Sequence, residues 1–301
     1  MPEIAIDARR TELGGGFTVA RVLPFRNRRM VGPFIFLDHA GPLALPPERM
    51  READVRPHPH IGLATVSYLF AGGITHRDSL GVVQPIHPGA VNWMTAGRGI
   101  AHSERFDDPA VLSGQPFEMM QSWVALPEAD EECTPAFDAY PESDLPQARD
   151  GGLWLRLIAG EAHGLKSPVR TRSPLVYLHA ELAPGAALTL PTGYTERAVY
   201  VARGSLEVDG TPCPAGRMLV FAPGESPRMT APEAARVMVL GGEPLGPRHI
   251  WWNFVSSRKE RIEQAKADWR EGRIPLPPDD RAEFIPLPEE PRRPPRPEPL
   301  S

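Results

Sequence analysis

Between Phe17 and Leu126 the apolar residues alternate, or run in short blocks, with Gly and Pro at the breaks: Phe17 to Leu23, Thr65 to Phe70, Val91 to Thr95 and Met119 to Leu126. Such blocks predict short β-strands, and their spacing suits a barrel or a sandwich. From Pro127 to Gly152 the pattern lapses into an acidic stretch containing Pro, with Glu128, Asp130, Glu131, Glu132, Glu142 and Asp144. That stretch reads as an interdomain connection. A second strand series follows in Leu153 to Ile158, Leu175 to Leu182, Arg197 to Val201, Leu206 to Val208, Met218 to Phe221 and Arg236 to Leu240. Laying Val66 to Leu69 on Val199 and its neighbours brings Gly73 near Gly204, and the Pro88-Gly89 turn near Ala215-Gly216. The two halves therefore read as an internal duplication.

Past the second series the period changes. Ile262, Ala265 and Trp269 recur at i, i+3 and i+7, and Ser257 to Glu260 has the form of a capping box. One amphipathic helix is expected from Arg258 to Arg270, ended by Gly272 and packed on a barrel. Residues 275–301 are dense in Pro and charge, which predicts a solvated extended tail that adds no core. The expected divisions are a first barrel over 1–130, a second over 150–256, the helix over 257–272 and the tail over 273–301.

Composition narrows the function classes. The chain has 301 residues, 41% of them hydrophobic, enough for one large or two smaller cores, and its 27 Gly and 37 Pro disfavour a helical fold. A net charge of −5 without a basic stripe argues against direct nucleic-acid binding. Neither a secretory signal nor an apolar run of membrane-spanning length is evident, so a cytoplasmic protein without membrane attachment is expected. Cys133 and Cys213 are too few for a disulfide framework and are expected as free thiols.

The chemistry concentrates in Arg56-Pro57-His58-Pro59-His60-Ile61-Gly62 and in Gly97-Arg98-Gly99-Ile100-Ala101-His102-Ser103-Glu104. Residues i and i+2 of a strand share a face, so His58 with His60, and His102 with Glu104, each present two ligands together. Four ligands converge if the two strands face each other across a barrel. Three imidazoles and one carboxylate suit Fe, Mn, Ni, Cu or Zn rather than Ca or Mg. A single His-x-His is weak evidence, since ordinary surface or hydrogen-bonded histidines produce it too; two such pairs on expected strands point to a metal.

Several further segments carry a resemblance: Ser67-Tyr68-Leu69, His76-Arg77-Asp78-Ser79, Pro88-Gly89 and Asn92 through Glu104, with Val31 to Phe34, Leu37 to His39 and Gly242-Glu243-Pro244. Together with Pro57 to His60 these resemble the pirin family of cupins over most of residues 10–270. The resemblance implies an all-β bicupin, two stacked cupin (jelly-roll-like) barrels with a C-terminal helix. It also implies one divalent metal, Fe(II) above all, held by His58, His60, His102 and Glu104. In other cupins a glutamate follows the His-x-His pair closely; here Leu63 and Ala64 stand there, so the carboxylate falls to Glu104. The second barrel carries Leu190 and Thr192 near the positions of the first His pair, so no ligands are expected in it. His39, His76 and His87 are expected near the entrance of the first barrel and Gln121 and Trp123 along its pocket, while His163, His179 and His249 are expected to be structural or exposed.

The resemblance implies two functions. One is a dioxygenase of the quercetin 2,3-dioxygenase type, with a small aromatic substrate, dioxygen, and Glu104 as catalytic base. The other is an iron-binding, redox-sensing regulatory module that docks on a transcription factor or metabolic enzyme. An open cavity above the ligands favours the first, and a plugged site under a flat charged surface the second. Keeping four ligands argues against a storage role of the seed-globulin kind. A monomer is expected.

Overall fold

The computed structural model describes residues 2–14, 17–43, 46–109 and 114–289. Its first half contains β1 (Ile4–Asp7), β2 (Arg9–Gly14), β3 (Phe17–Leu23), β4 (Phe34–Leu43), β5 (Val55–His60), β6 (Leu63–Ala71), β7 (Ile74–Asp78), β8 (Val83–Ile86), β9 (Val91–Thr95), β10 (Ile100–Arg105), β11 (Phe117–Ala125), β12 (Ala136–Tyr140) and β13 (Gln147–Asp150). The second half contains β14 (Leu153–Ala159), β15 (Glu161–Ala162), β16 (Leu165–Lys166), β17 (Leu175–Leu182), β18 (Ala187–Leu188), β19 (Glu196–Arg203), β20 (Ser205–Val208), β21 (Thr211–Pro214), β22 (Arg217–Phe221), β23 (Met229–Thr230), β24 (Ala235–Gly242), β25 (His249–Trp251) and β26 (Phe254–Ser256), then the helix Lys259–Arg270. Among the described residues no helix is long and apolar enough to cross a membrane.

Each half builds one seven-stranded and one four-stranded antiparallel sheet. The large sheets run β12-β9-β6-β11-β4-β3-β2 and β1-β22-β19-β24-β17-β14-β13, the small ones β5-β10-β7-β8 and β18-β23-β20-β21. Position by position the orders coincide, with β6 matching β19 and β9 matching β22, as the alignment of Val66 on Val199 requires. The counterpart of β5 is β18 at Ala187–Leu188, a few residues before the expected Leu190 and Thr192. Leu188 faces Met229 there, and both are buried in the apolar filling of the second barrel.

The outer faces of the large sheets pack on each other. Strand alternation sends Val66, Tyr68, Met120 and Val124 to meet Tyr177, Tyr200, Met238 and Leu240 in one shared core. Several buried polar groups in this layer pair across it. His39 lies between Tyr200 Oη and Glu118, and Tyr68 Oη lies 2.8 Å from His179 Nδ1. His179 is thus a structural residue of the interface.

The ends of the chain depart from the expected divisions. β1 leaves the first barrel and forms the edge of the second barrel's large sheet, pairing Ile4 with Val220 and Ile6 with Met218. The acidic connection is built into both barrels: β12 pairs with β9, and β13 with β14. Glu131 within it is 2% exposed and lies 3.0 Å from buried Arg248. It also accepts hydrogen bonds from Ser256, Ser257 and the Ser257 main chain. Ser257 therefore makes no capping box, and the helix starts after Arg258 without a side-chain cap. The helix does bury Ile262, Ala265 and Trp269, as its period predicts.

The expectation of a tail without core is wrong for its described part, residues 273–289. Ile274 is buried with Ile61, Ala101 and Trp269, and Leu276 and Leu287 pack against them. Asp280 takes hydrogen bonds from Ser103 and a two-pronged pair from Arg105, while Ile285 N donates to Pro57 O. Apolar spacing between the prolines supplies this packing, which composition alone conceals. Residues 290–301 lie outside the described residues. Truncation after Arg273 should remove about 3–5 kcal/mol and lower the melting temperature by on the order of 10 °C. A melting curve unchanged by the truncation would show the segment to be dispensable.

Candidate metal centre

β5 and β10 are adjacent antiparallel strands in one sheet, not opposite walls of the barrel. His58 stands directly across from His102, and His60 across from Ile100, with an irregularity in the pairing between His102 and Glu104. Direct cross-strand neighbours on one face bring side chains as close as convergence across a barrel would. Gly62 sets the turn that follows: its φ is +68°, and a Cβ there would lie 2.0 Å from Val255 O. Any side chain at this position would push the β26 strand off the end of β5.

His58, His60 and His102 are buried, and one nitrogen from each lies within 4.8 Å of the others. Their ring centroids are 4.4 to 5.1 Å apart. His58 Nδ1 donates to the Arg56 carbonyl at 2.9 Å, which leaves Nε2 unprotonated. His60 Nδ1 and His102 Nε2 are buried without any hydrogen-bond partner. Orphaned buried nitrogens are costly in an ordinary core, and here they belong to one cluster. This donor set fits a transition metal: three buried, neutral imidazoles gathered in one cluster, two of them with a ring nitrogen that lacks a partner.

Burial also sets the protonation states. Desolvation pushes His58 down to about 4, helped by neighbouring His76, and holds His60 and His102 well below the ordinary histidine value. All three are neutral at pH 7, as ligation requires. Glu104 shares the cavity but stands apart from the imidazole cluster. Its Oε1 lies 3.3 Å from Ser67 Oγ, and desolvation raises its pKa to about 7 against that hydrogen bond.

The cluster opens into a cavity of about 450 Å³, within the range of small-molecule sites. Phe36 and Trp123 form a stacked pair with centroids 4.1 Å apart, and the Trp123 ring meets His60 edge to face. Arg21 lies 4.7 Å over Phe36 and makes a two-pronged pair with Asp38. Ile250, Trp252 and Asn253, from the far end of the chain, complete the lining. Gln121 and Trp123 line the cavity as expected; Arg21, Asp38, Trp252 and Asn253 were missed. The last two carry no local signal, whereas the alternation that places Trp123 in the pocket also places Asp38 there.

His76 is buried behind the cluster with its Nδ1 3.3 Å from His102 Nδ1, rather than at the entrance. His39 belongs to the layer between the barrels, and His87 is exposed beside Asp108. Among the described residues the second barrel holds no comparable cluster.

A raised carboxylate destabilises the metal-free fold in a defined window. The unfolded chain ionises Glu104 near 4.5 and the folded chain near 7, so stability falls as pH rises between them and the full penalty stands above 7. At about 1.4 kcal/mol per unit the penalty is at most about 3.5 kcal/mol. In the presence of a chelator, Glu104→Gln should therefore be more stable than wild type in urea at pH 8, and the gap should shrink at pH 5.5. An equal gap at both values would show that Glu104 is not desolvated.

Comparison with known proteins agrees with this architecture. The family profile described as Pirin matches residues 16–124, and that of the pirin C-terminal cupin domain matches 177–275. A pirin-like protein of Caulobacter vibrioides is 57% identical over 290 residues, covering 96% of this chain and all of the relative. A Pseudomonas aeruginosa protein named as a candidate quercetin 2,3-dioxygenase is 41% identical, over 89% of this chain and 83% of its own length. The crystal structure of a quercetin 2,3-dioxygenase from Acinetobacter baumannii superposes with a TM-score of 0.87 at 33% identity, covering 96% of each chain. With two cupin barrels, the pirin profile on each half and relatives aligned along almost its whole length, the chain is a member of the pirin family.

Proposed function

We propose that this chain is a dioxygenase of flavonol-like substrates, with one divalent transition metal, Fe(II) before Mn, Ni, Cu or Zn, held by His58, His60, His102 and Glu104. The observation that carries the reading is the cluster of three neutral imidazoles lining a cavity that a stacked aromatic pair also walls. A regulatory docking module needs no such cavity. The names of the Pseudomonas and Acinetobacter relatives add support. All four donors come from one chain, so no second copy is required.

Held by these residues, the metal would supply Lewis acidity toward an anionic oxygen of the substrate. The protein supplies the rest. Glu104, buried at the cavity wall, is the carboxylate placed to take the proton of a substrate hydroxyl. Ser67 Oγ lies 3.3 Å from Glu104 Oε1 and 2.9 Å from Gln121 Oε1, so its single proton serves one of two competing acceptors. Phe36 and Trp123 offer a flat face to a planar ring, and Val19, Ile35, Ala40 and Met119 exclude water around it.

Purified protein should bind one equivalent of metal, and His60→Ala should lose it. Oxygen consumption with a flavonol panel should be metal-dependent. Glu104→Gln, fully reloaded, should lose about a hundred- to ten-thousand-fold in turnover. Wild-type turnover in that variant would overturn the base assignment. No flavonol-dependent uptake with Fe, Mn, Ni or Cu would overturn the enzymatic reading in favour of the regulatory one.

A further inference from the structure

Behind the imidazole cluster lies a second row of polar side chains that the proposed chemistry does not use. β7 pairs with β10 on the side away from β5, setting Asp78 opposite His102 and His76 opposite Glu104. All four side chains point to the same inner face, so His76 reaches diagonally to His102, Nδ1 to Nδ1, at 3.3 Å. The other nitrogen of His76 lies 3.0 Å from Asp78 Oδ2. Phe137 stacks on the His76 ring with centroids 4.5 Å apart and holds its plane. Asp78 is fully buried, and its Oδ1 accepts from the main-chain N–H groups of Leu80 and Val82.

The proton positions follow from these partners. Oδ1 of Asp78 already accepts two main-chain bonds, and Oδ2 is placed as the acceptor toward His76 Nε2. His76 must then carry its proton on Nε2 and present a lone pair at Nδ1. Across 3.3 Å, His102 must be the donor, with its proton on Nδ1. The Nε2 of His102, the buried atom without a partner, is thereby left as a bare lone pair aimed at the cluster.

We infer that His76, oriented by Asp78, is a positioning residue that fixes the tautomer of His102 and keeps its Nε2 open for metal. The inference rests on the proposed metal site and extends it, because sequence spacing marks the ligands but not the group that prepares one of them. Removing His76 leaves His102 free to carry its proton on Nε2, which must be displaced before a metal binds.

The test is Co(II) titration of the metal-free full-length protein against a competing chelator, with the proton NMR spectrum of the Co(II) form recorded beside it. His76→Leu should weaken Co(II) binding about 10- to 100-fold. It should also remove one metal-shifted, solvent-exchangeable ring N–H resonance, that of His102 Nδ1. His76→Gln, whose amide can accept from His102 and donate to Asp78, should recover most of the affinity. His76→Asn, too short to span that gap, should behave as the leucine variant does and serves if the latter misfolds. Wild-type affinity in His76→Leu or His76→Asn would overturn the inference, as would equal losses in the glutamine and asparagine variants in step with their melting temperatures. If wild type took up no Co(II), the metal site itself would fail and the inference with it; uptake by wild type with no effect of His76 would defeat the inference alone.

Discussion

His58 and His102 stand across from each other on adjacent antiparallel strands, and the geometry of the candidate centre follows from that pairing. A strand repeats every two residues, so fixing this one register places His60 on the same inner face, and the unbroken pairing of β10 with β7 keeps Glu104 there past the irregularity. A slip of one residue would turn Pro57, Pro59, Ala101 and Ser103 inward and leave no donors. Three unionised imidazoles can share so small a space only because burial keeps them neutral, since like charges at this distance would repel strongly. Register and desolvation thus act together: one gathers the nitrogens, the other keeps them unprotonated.

The remaining structure holds that register from both sides. On the inner side β7 continues the sheet and supplies His76 and Asp78. On the outer side the segment after the helix crosses the same two strands, with Ile285 bonded to Pro57 and Asp280 bonded to Ser103 and Arg105. Residues that alternate with the donors are therefore the ones clamped. Across the barrel, β4, β6 and β11 present Phe36, Thr65 and Trp123 to the cavity, while the alternate residues, Leu37, Tyr68 and Ser122 among them, face the second barrel. The second barrel, with Leu188 and Met229 where the first has histidines, is filled by apolar side chains and acts as a support.

Local periodicity made much of this legible. Period-two blocks located the strands of both barrels, the two i, i+2 pairs located the donors, and the 3.6-residue stripe of Ile262, Ala265 and Trp269 located the helix. Long-range pairing was not legible. Nothing in Ile4–Asp7 indicates that it closes the second barrel, and spacing did not tell whether β5 and β10 were neighbours or opposite walls. Composition misled where charge was paired: Glu131 reads as a solvated linker residue yet is buried against Arg248, which takes Ser257 away from its capping role. The Pro-rich segment misled likewise, because its few apolar residues fall where the helix and β10 leave a groove. His76 and Asp78 share the i, i+2 spacing of the donor pairs, but only His76 carried an expectation, at the entrance, and Asp78 carried none.

X-ray absorption at the metal edge of protein loaded with one equivalent of Fe(II) tests the central claim most directly, because it reads the ligand set itself. The account predicts light N/O scatterers at about 2.0–2.2 Å with the multiple-scattering pattern of three imidazoles, lost in His58→Ala and His102→Ala. A sulfur shell, or a spectrum without imidazole scattering that those substitutions leave unchanged, would contradict it.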